Sequence, residues 1–337
     1  MSVNSSTTQM NGRTQIMPFG IVVACHAGDY CMAKATCASI RHFSGDLPIC
    51  LVVDGDFSVR ELVDAYGVLV LRTSELRDPE MRRLCCGNPR AKLAAMWEGP
   101  FERYIFLDAD VVFWGDVVSA IGEWTSDFLV LGNPDLAPMP VNEIKAFYIE
   151  PSLLARFDSD FDTSKYPFFC SGAFGIRKNL FPFNDWMAVE KWRAEEPNLF
   201  SFTRDQGIFN YLVFKGAQQG RISVQFSDLQ YMPAVRPMAE VTRLLGCDLH
   251  SVPRMVPTPM AVHFCERKPL LHVRKQGYIR PFTAFRLAHH ANRSGWKAGR
   301  FLFAWSCILK EEAGAIWHRA KNKLRRHALE WRQQFWR

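Results

Sequence analysis

Short apolar runs recur along the first 130 positions, and most of them end in a polar cluster followed by a longer mixed stretch. Gly20-Ile21-Val22-Val23-Ala24-Cys25 ends in His26-Ala27-Gly28-Asp29, and Leu47-Pro48-Ile49-Cys50-Leu51-Val52-Val53 ends in Asp54-Gly55-Asp56. Val68 to Leu71, Tyr104 to Leu107 ahead of Asp108, and Phe128 to Leu131 repeat the pattern. Runs apolar on both sides predict strands buried on both faces, which is the signature of a parallel sheet. The stretches between them predict helices over Tyr30 to His42, from about Ser58, over Ala91 to Glu98 and near Asp185 to Arg193, with a further segment over Asp205 to Phe214. Ser58 stands as a helix N-cap with Glu61 three residues on. The expected fold is therefore α/β: a Rossmann-like, mainly parallel sheet with helices on both faces.

In such sheets ligands bind beyond the carboxyl ends of the strands. Three strand ends carry polar clusters, His26 to Asp29, Asp54 to Asp56 and Asp108 to Asp110, and together they outline a crevice. Around this body, residues 1–17 read as a flexible leader, 18–275 as the main domain, and 276–337 as a basic, aromatic helical region that begins in earnest near Pro281. Residues 133–167, rich in Pro, Asp and aromatics, read as a long lid or substrate loop. Phe168 to Ile176 and Ala261 to Phe264 supply further extended segments.

Composition narrows the classes. The chain has 337 residues, 48% hydrophobic and 22% charged, ordinary for a folded protein. The net charge of +7 sits at one end: residues 286–337 carry +9, leaving −2 on the rest. A near-neutral body argues against nucleic acid as a partner. The ten cysteines form no C-x-x-C pair and no disulfide ladder, which fits a reducing compartment. Met1 to Gln15 is polar and unlike a signal peptide. The longest apolar candidate, Phe301 to Leu309, is about half the ~20 residues that span a bilayer. A cytoplasmic location follows as the expectation, with peripheral contact at the inner face of a membrane as a variant.

Asp108 and Asp110 are the first chemical candidates. In an extended segment residues i and i+2 point to the same side, so both carboxylates can meet one hard cation such as Mn²⁺ or Mg²⁺. D-x-D occurs four times, at 54/56, 108/110, 158/160 and 160/162. Only 108/110 lies between an apolar strand and a second apolar run, Val111-Val112-Phe113. The pairs at 158/160 and 160/162 read as solvated turn residues. For Asp54 and Asp56, a strand-ending turn around Gly55 and a contact to a nucleoside stand side by side.

Arg103-Tyr104-Ile105-Phe106-Leu107-Asp108-Ala109-Asp110-Val111-Val112 resembles the Y-L-D-A-D segment of nucleotide-sugar transferases of the GT-A fold, family 8 in particular, the group of glycogenin and bacterial lipopolysaccharide glycosyltransferases. In motif order the resemblance covers roughly residues 18–270. It implies a metal-dependent transfer of a sugar from a nucleoside-diphosphate donor, UDP in this family, to a glycan or lipid-linked glycan, with retention at the sugar carbon. Ile21 to Cys25, with His26 following, resembles the strand that meets the base. Lys92 matches a basic residue that contacts the donor. Cys170-Ser171-Gly172 is similar to the family's N-[ST]-G turn, with Cys170 in place of Asn. Asp205-Gln206 resembles the pair that binds the transferred sugar. His263-Phe264 and Lys268-Pro269 resemble the closing H-F-x-G-x-x-K-P-W motif, whose His is the third metal ligand and whose Lys holds the diphosphate. The spacing is one residue shorter here, Glu266 stands in place of Gly, and Leu270 in place of Trp.

Plainer readings accompany each residue: a satisfied strand histidine for His263, a helix cap for Asp205, a solvated charge for Lys92. Trp296, Trp305, Trp317, Trp331 and Trp336 within the basic tail fit either an interfacial helix pair on anionic lipid or a helical cap packed on the domain. Two rivals share the sheet and the carboxylates, a sugar-nucleotide nucleotidyltransferase and a silent nucleotide-sugar-binding protein. The nucleotidyltransferase lacks support in the turn after the first strand, which has one Gly and no nearby Arg.

Overall fold

A computed structural model describes residues 16–87, 89–132, 139–201, 205–271, 276–294, 299–314 and 316–317. The leader call on residues 1–15 and the tail beyond 317 lie outside the described residues.

Among the described residues ten strands are formed: β1 (Met17–His26), β2 (Ile49–Asp54), β3 (Leu69–Arg72), β4 (Phe101–Asp108), β5 (Val111–Trp114), β6 (Phe128–Val130), β7 (Ala173–Arg177), β8 (Val224–Phe226), β9 (Gln230–Tyr231) and β10 (Met260–His263). Seven make one sheet in the order β3-β2-β1-β4-β7-β6-β8, and β5-β10-β9 make a second. Strands β3, β2, β1 and β4 run parallel, as does β8 on β6; β7 alone is antiparallel to its neighbours β4 and β6. Alternation along the strands explains the two covered faces. Ile21, Val23, Ile105 and Leu107 join one core cluster, and Val22, Val52, Tyr104 and Phe106 join the other.

The helices are α1 (Tyr30–Ser44), α2 (Arg60–Tyr66), α3 (Pro79–Cys85), α4 (Ala94–Glu98), α5 (Val117–Ile121), α6 (Val141–Phe147), α7 (Pro151–Leu154), α8 (Phe183–Glu195), α9 (Asp205–Gln218), α10 (Met238–Leu245) and α11 (Gln276–Arg293), with a further helical stretch over 300–314. The mainly parallel α/β sheet with helices on both faces is thus present as expected.

Several local expectations change. β1 begins at Met17, inside the span assigned to the leader, because the Met17 N–H donates to the Pro100 carbonyl at the start of β4. Ser58 does not cap α2; Val59 takes that position, and Glu61 instead turns to Lys34 and His289. The basic segment before α4 holds α3, capped by Asp78 with Pro79 at its first position. Residues 133–167 are more than a loop, since α6 and α7 lie within them. Asp158 in that stretch is no solvated turn residue: it pairs with Lys215 at 2.6 Å and accepts from the Tyr211 hydroxyl at 2.8 Å, tying the segment to α9.

The C-terminal helices dock on the body through buried charge. Arg286, 1% exposed, pairs with Glu311 and Glu312 at 2.9 Å each. Lys34 of α1 bridges Glu311 at 2.6 Å and Glu61 at 2.9 Å. His289 reaches Glu61 at 2.8 Å, and His290 reaches Glu311 at 3.0 Å. The packed-cap reading therefore holds for α11 and the 300–314 helix. Among the described residues no helix is long and apolar enough to cross a membrane, and all ten cysteines are free thiols.

Candidate active site

The chain leaves β4 at Asp108, turns through Ala109 and Asp110, and enters β5 in the second sheet. Three backbone ties fix this turn: the Asp108 N–H donates to Gly172 O at 2.8 Å, the Phe264 N–H to Asp110 O at 3.1 Å, and the buried Thr36 hydroxyl to Ala109 O at 2.7 Å. Antiparallel pairing of β10 on β5 places His263 opposite Val111, one residue from Asp110. One oxygen each of Asp108 and Asp110 and one nitrogen of His263 consequently lie within 4.8 Å of one another, with His263 Nε2 3.6 Å from Asp110 Oδ1. Two sheets meet here, and the side chains arrive from three strand ends.

Lys92, ahead of α4, reaches into the same space. Its ammonium lies 2.8 Å from Asp205 and 3.7 Å from Asp108, and it donates to the Ser171 carbonyl and hydroxyl at 3.2 Å. Burial opposes its charge, but Asp108 and Asp205 hold its pKa above the usual lysine value. Gln206, next along α9, accepts the Ser171 N–H at 3.2 Å. On the other side Lys268 contacts Asp110. Of the residues singled out in the sequence, Lys92, Asp108, Asp110, Ser171, Gly172, Asp205, Gln206, His263 and Lys268 are thus brought together.

The remaining three stand at the neighbouring strand ends. Cys25 is buried at the end of β1. His26 is exposed, and its backbone N–H donates to the Asp29 carboxylate at 2.7 Å. The Asp54 carboxylate accepts from the Thr73 hydroxyl and the Gly87 N–H, both at 2.9 Å, so it ties two loops together at the sheet edge.

Electrostatics favours a cation. Asp108, Asp110 and Asp205 face Lys92 and Lys268, leaving one negative charge in excess if all are ionised. Burial raises the Asp108 carboxyl to about 7, helped by Asp110 and Asp205 and opposed by Lys92. Burial lowers His263 to about 4, so the ring is neutral at physiological pH and keeps a lone pair for a metal. Two hard oxygens and one imidazole nitrogen suit Mn²⁺ or Mg²⁺ with positions left for phosphate and water. The residues fit the ion.

Four contributors escaped sequence reading. Thr36 and Ser39 lie on α1 and hold the Asp110 turn and the β5 backbone through Ala109 O and Phe113 N. Asp29, whose carboxyl burial raises to about 7, stood in a recognised polar cluster without an assigned role. Gln230, on the two-residue strand β9, meets His263, and its sequence context gives no signal.

No family model and no curated protein matches the sequence. Among the solved structures that match are several glycosyltransferases. The galactosyltransferase LgtC, solved with donor and acceptor sugar analogs, is 13% identical, with 79% of this chain and 94% of that one covered and a TM-score of 0.49. The bifunctional glycosyltransferase WbbM is 14% identical, with 86% of this chain and 52% of that one covered and a TM-score of 0.49, so this chain spans about half its length. Glucosyl-3-phosphoglycerate synthase from Mycobacterium tuberculosis, solved with Mn²⁺, UDP and glucosyl-3-phosphoglycerate, is 12% identical, with 63% and 69% covered and a TM-score of 0.37. At these identities and TM-scores the likeness carries no argument, and the chemistry is drawn from the residues of this chain alone.

Proposed function

We propose that this protein is a metal-dependent glycosyltransferase that moves a sugar from a nucleoside-diphosphate donor, a UDP-sugar, to a glycan or lipid-linked glycan with retention of configuration. The carrying observation is the convergence of Asp108, Asp110 and His263 on one point, with Lys92–Asp205 on one side and Lys268 on the other. Asp108, Asp110 and the His263 Nε2 would hold Mn²⁺ or Mg²⁺. Bound there, the ion supplies positive charge to the diphosphate as it leaves.

Cys25, His26 and Asp54 line the nucleoside end of the crevice. Lys268 adds positive charge at the diphosphate. Ser171, Gly172 and Gln206 face the sugar, and Lys92 fixes the Asp205 carboxylate beside Asp108. Asp205 then stabilises the positive charge that develops on the sugar ring. A front-face route, in which the leaving phosphate takes the acceptor proton, requires no protein nucleophile.

Incubation with UDP- and GDP-sugars and Mn²⁺ tests this reading. Release of nucleoside diphosphate with sugar transfer or hydrolysis supports it. Pyrophosphate chemistry would assign a nucleotidyltransferase instead, and no turnover of any donor would leave a binding protein. An Asp205→Asn variant that bound donor yet transferred at the normal rate would remove Asp205 from the mechanism.

Peripheral membrane contact belongs to the same proposal. Leu302, Leu309, Ile316 and Trp317 are exposed on the C-terminal region, whose sequence carries the basic surplus. This arrangement favours anionic lipid. Flotation with phosphatidylglycerol vesicles should fall in a Leu302→Glu/Trp317→Glu variant; unchanged flotation would dispose of the lipid contact.

A further inference from the structure

His263 can ligate a cation through Nε2 only when its single proton sits on Nδ1. A neutral imidazole carries one N–H, and with that hydrogen on Nε2 it would point at Asp110 and leave no lone pair there. Something must therefore take the Nδ1 proton, because the ring is 3% exposed.

Two side chains meet Nδ1. The Gln230 amide nitrogen lies at 2.9 Å and the Cys170 sulfur at 3.6 Å, the thiol being the weaker partner. The ends of an amide have nearly the same outline, and a half-turn exchanges donor for acceptor. The Gln230 carbonyl oxygen is thus able to receive the Nδ1 hydrogen whenever Nε2 is the ligating atom. The backbone presents the amide there by construction. Gln230 pairs with Ala261 in the β9–β10 ladder, and its N–H donates to Leu131 O at 2.6 Å. Gly132 clears the space on the far side, since a Cβ at that position would come 3.0 Å from the end of the Gln230 amide that does not face His263.

We propose that Gln230 is the positioning residue of the metal site: it selects the Nδ1–H tautomer of His263 and so turns Nε2 into a ligand. This inference rests on the metal-site reading above and adds a residue outside the family-like motifs. Outer partners of this kind change metal affinity by about 10–100-fold when removed.

The test is Mn²⁺ titration of the full chain by electron paramagnetic resonance, with Gln230→Met, Gln230→Glu and Asp110→Asn beside wild type. Met keeps the volume and offers no oxygen; Glu keeps an acceptor. A tautomer-selecting role predicts a Kd weakened about 10–100-fold in Gln230→Met and held within about threefold of wild type in Gln230→Glu. A packing role predicts the reverse order, with Met tolerated and the charge disruptive. Wild-type affinity in Gln230→Met, or equal losses in both variants, would overturn the proposal. ¹⁵N-histidine spectra of the Mg²⁺-loaded protein give a second readout, with the His263 proton on Nδ1 in wild type and in Gln230→Glu; a proton on Nε2 would contradict it. If Asp110→Asn binds Mn²⁺ like wild type, the metal site itself fails. If it loses Mn²⁺ while Gln230→Met does not, only the role of Gln230 fails.

Discussion

The ammonium of Lys268 rests on the Oδ2 of Asp110, while the Oδ1 of the same carboxylate faces His263. One carboxylate thus meets a fixed cation on one oxygen and a metal ligand beside the other. Lysine and a divalent ion compete for its charge, whereas lysine and a diphosphate attract. Replacing Lys268 by Met should tighten Mn²⁺ binding to the nucleotide-free protein about tenfold and weaken UDP binding about tenfold, the range of one charge-assisted hydrogen bond. Calorimetric titration of each ligand separately checks the opposite signs; parallel changes would contradict this role.

Metal affinity should depend on pH through Asp108. Its carboxyl is raised to about 7 by burial and by Asp110 and Asp205, against Lys92 and Lys268, so near neutrality a proton competes for the ligand oxygen. His263, lowered to about 4, stays neutral throughout this window. Mn²⁺ affinity should therefore rise with pH, by up to about tenfold per unit below 7, and level off above it, with proton release on binding. Titrations from about pH 5.5 to about 8.5 test the slope; a flat profile below 7 would contradict it.

Gly172 is glycine for a steric reason. A Cβ there would lie 2.1 Å from Cε1 and 2.6 Å from Nε2 of His263, atoms of a ring that is 3% exposed. Gly172→Ala should displace the ring and weaken Mn²⁺ by at least about tenfold, with a stability loss of about 1–3 kcal/mol from overpacking. Ser171→Ala adds no such atom and should leave Mn²⁺ affinity near wild type.

The same elements show what the sequence could tell. The alternation of Ile21, Val22 and Val23, and of Tyr104, Ile105 and Phe106, gave the sheet, because strands buried on both faces leave few other arrangements. Asp108 and Asp110 were legible because their carboxylates interrupt two apolar runs, and His263 and Lys268 because they keep a family-like order. Gln230 and Thr36 were not legible. Their roles arise from a two-residue strand and from one hydroxyl on a helix face, contacts that exist only once two sheets and a helix meet. Glu61 was misread as part of a helix cap because its partners, Lys34 and His289, are distant in sequence.

The charge clasp between the C-terminal helices and the body should be costly to break on one side only. Arg286→Met leaves Glu311 and Glu312 buried with fewer partners, and should cost about 3–5 kcal/mol in denaturant unfolding. Burial works against the charges of Glu61 and Glu311, yet their hydrogen bonds and ion pairs hold both carboxyls below the usual range, Glu61 at about 2. Their contribution is present above the unfolded value near 4.5 and is lost as pH falls toward the folded ones. Acid should therefore loosen the clasp, seen as rising hydrogen exchange over 286–294 and 299–312. A melting temperature unchanged by Arg286→Met would show that the clasp adds nothing.

The most direct measurement is the melting temperature of wild type, Asp108→Asn, Asp110→Asn and His263→Ala with UDP, in the presence of Mn²⁺ and of a chelator. Wild type should be stabilised by UDP only with Mn²⁺, by about 2.7 kcal/mol at a hundredfold excess over Kd, and the three variants should lose that stabilisation. Equal stabilisation of wild type with Mn²⁺ and with chelator, or full stabilisation of the variants, would contradict a nucleotide held through a cation at these three side chains.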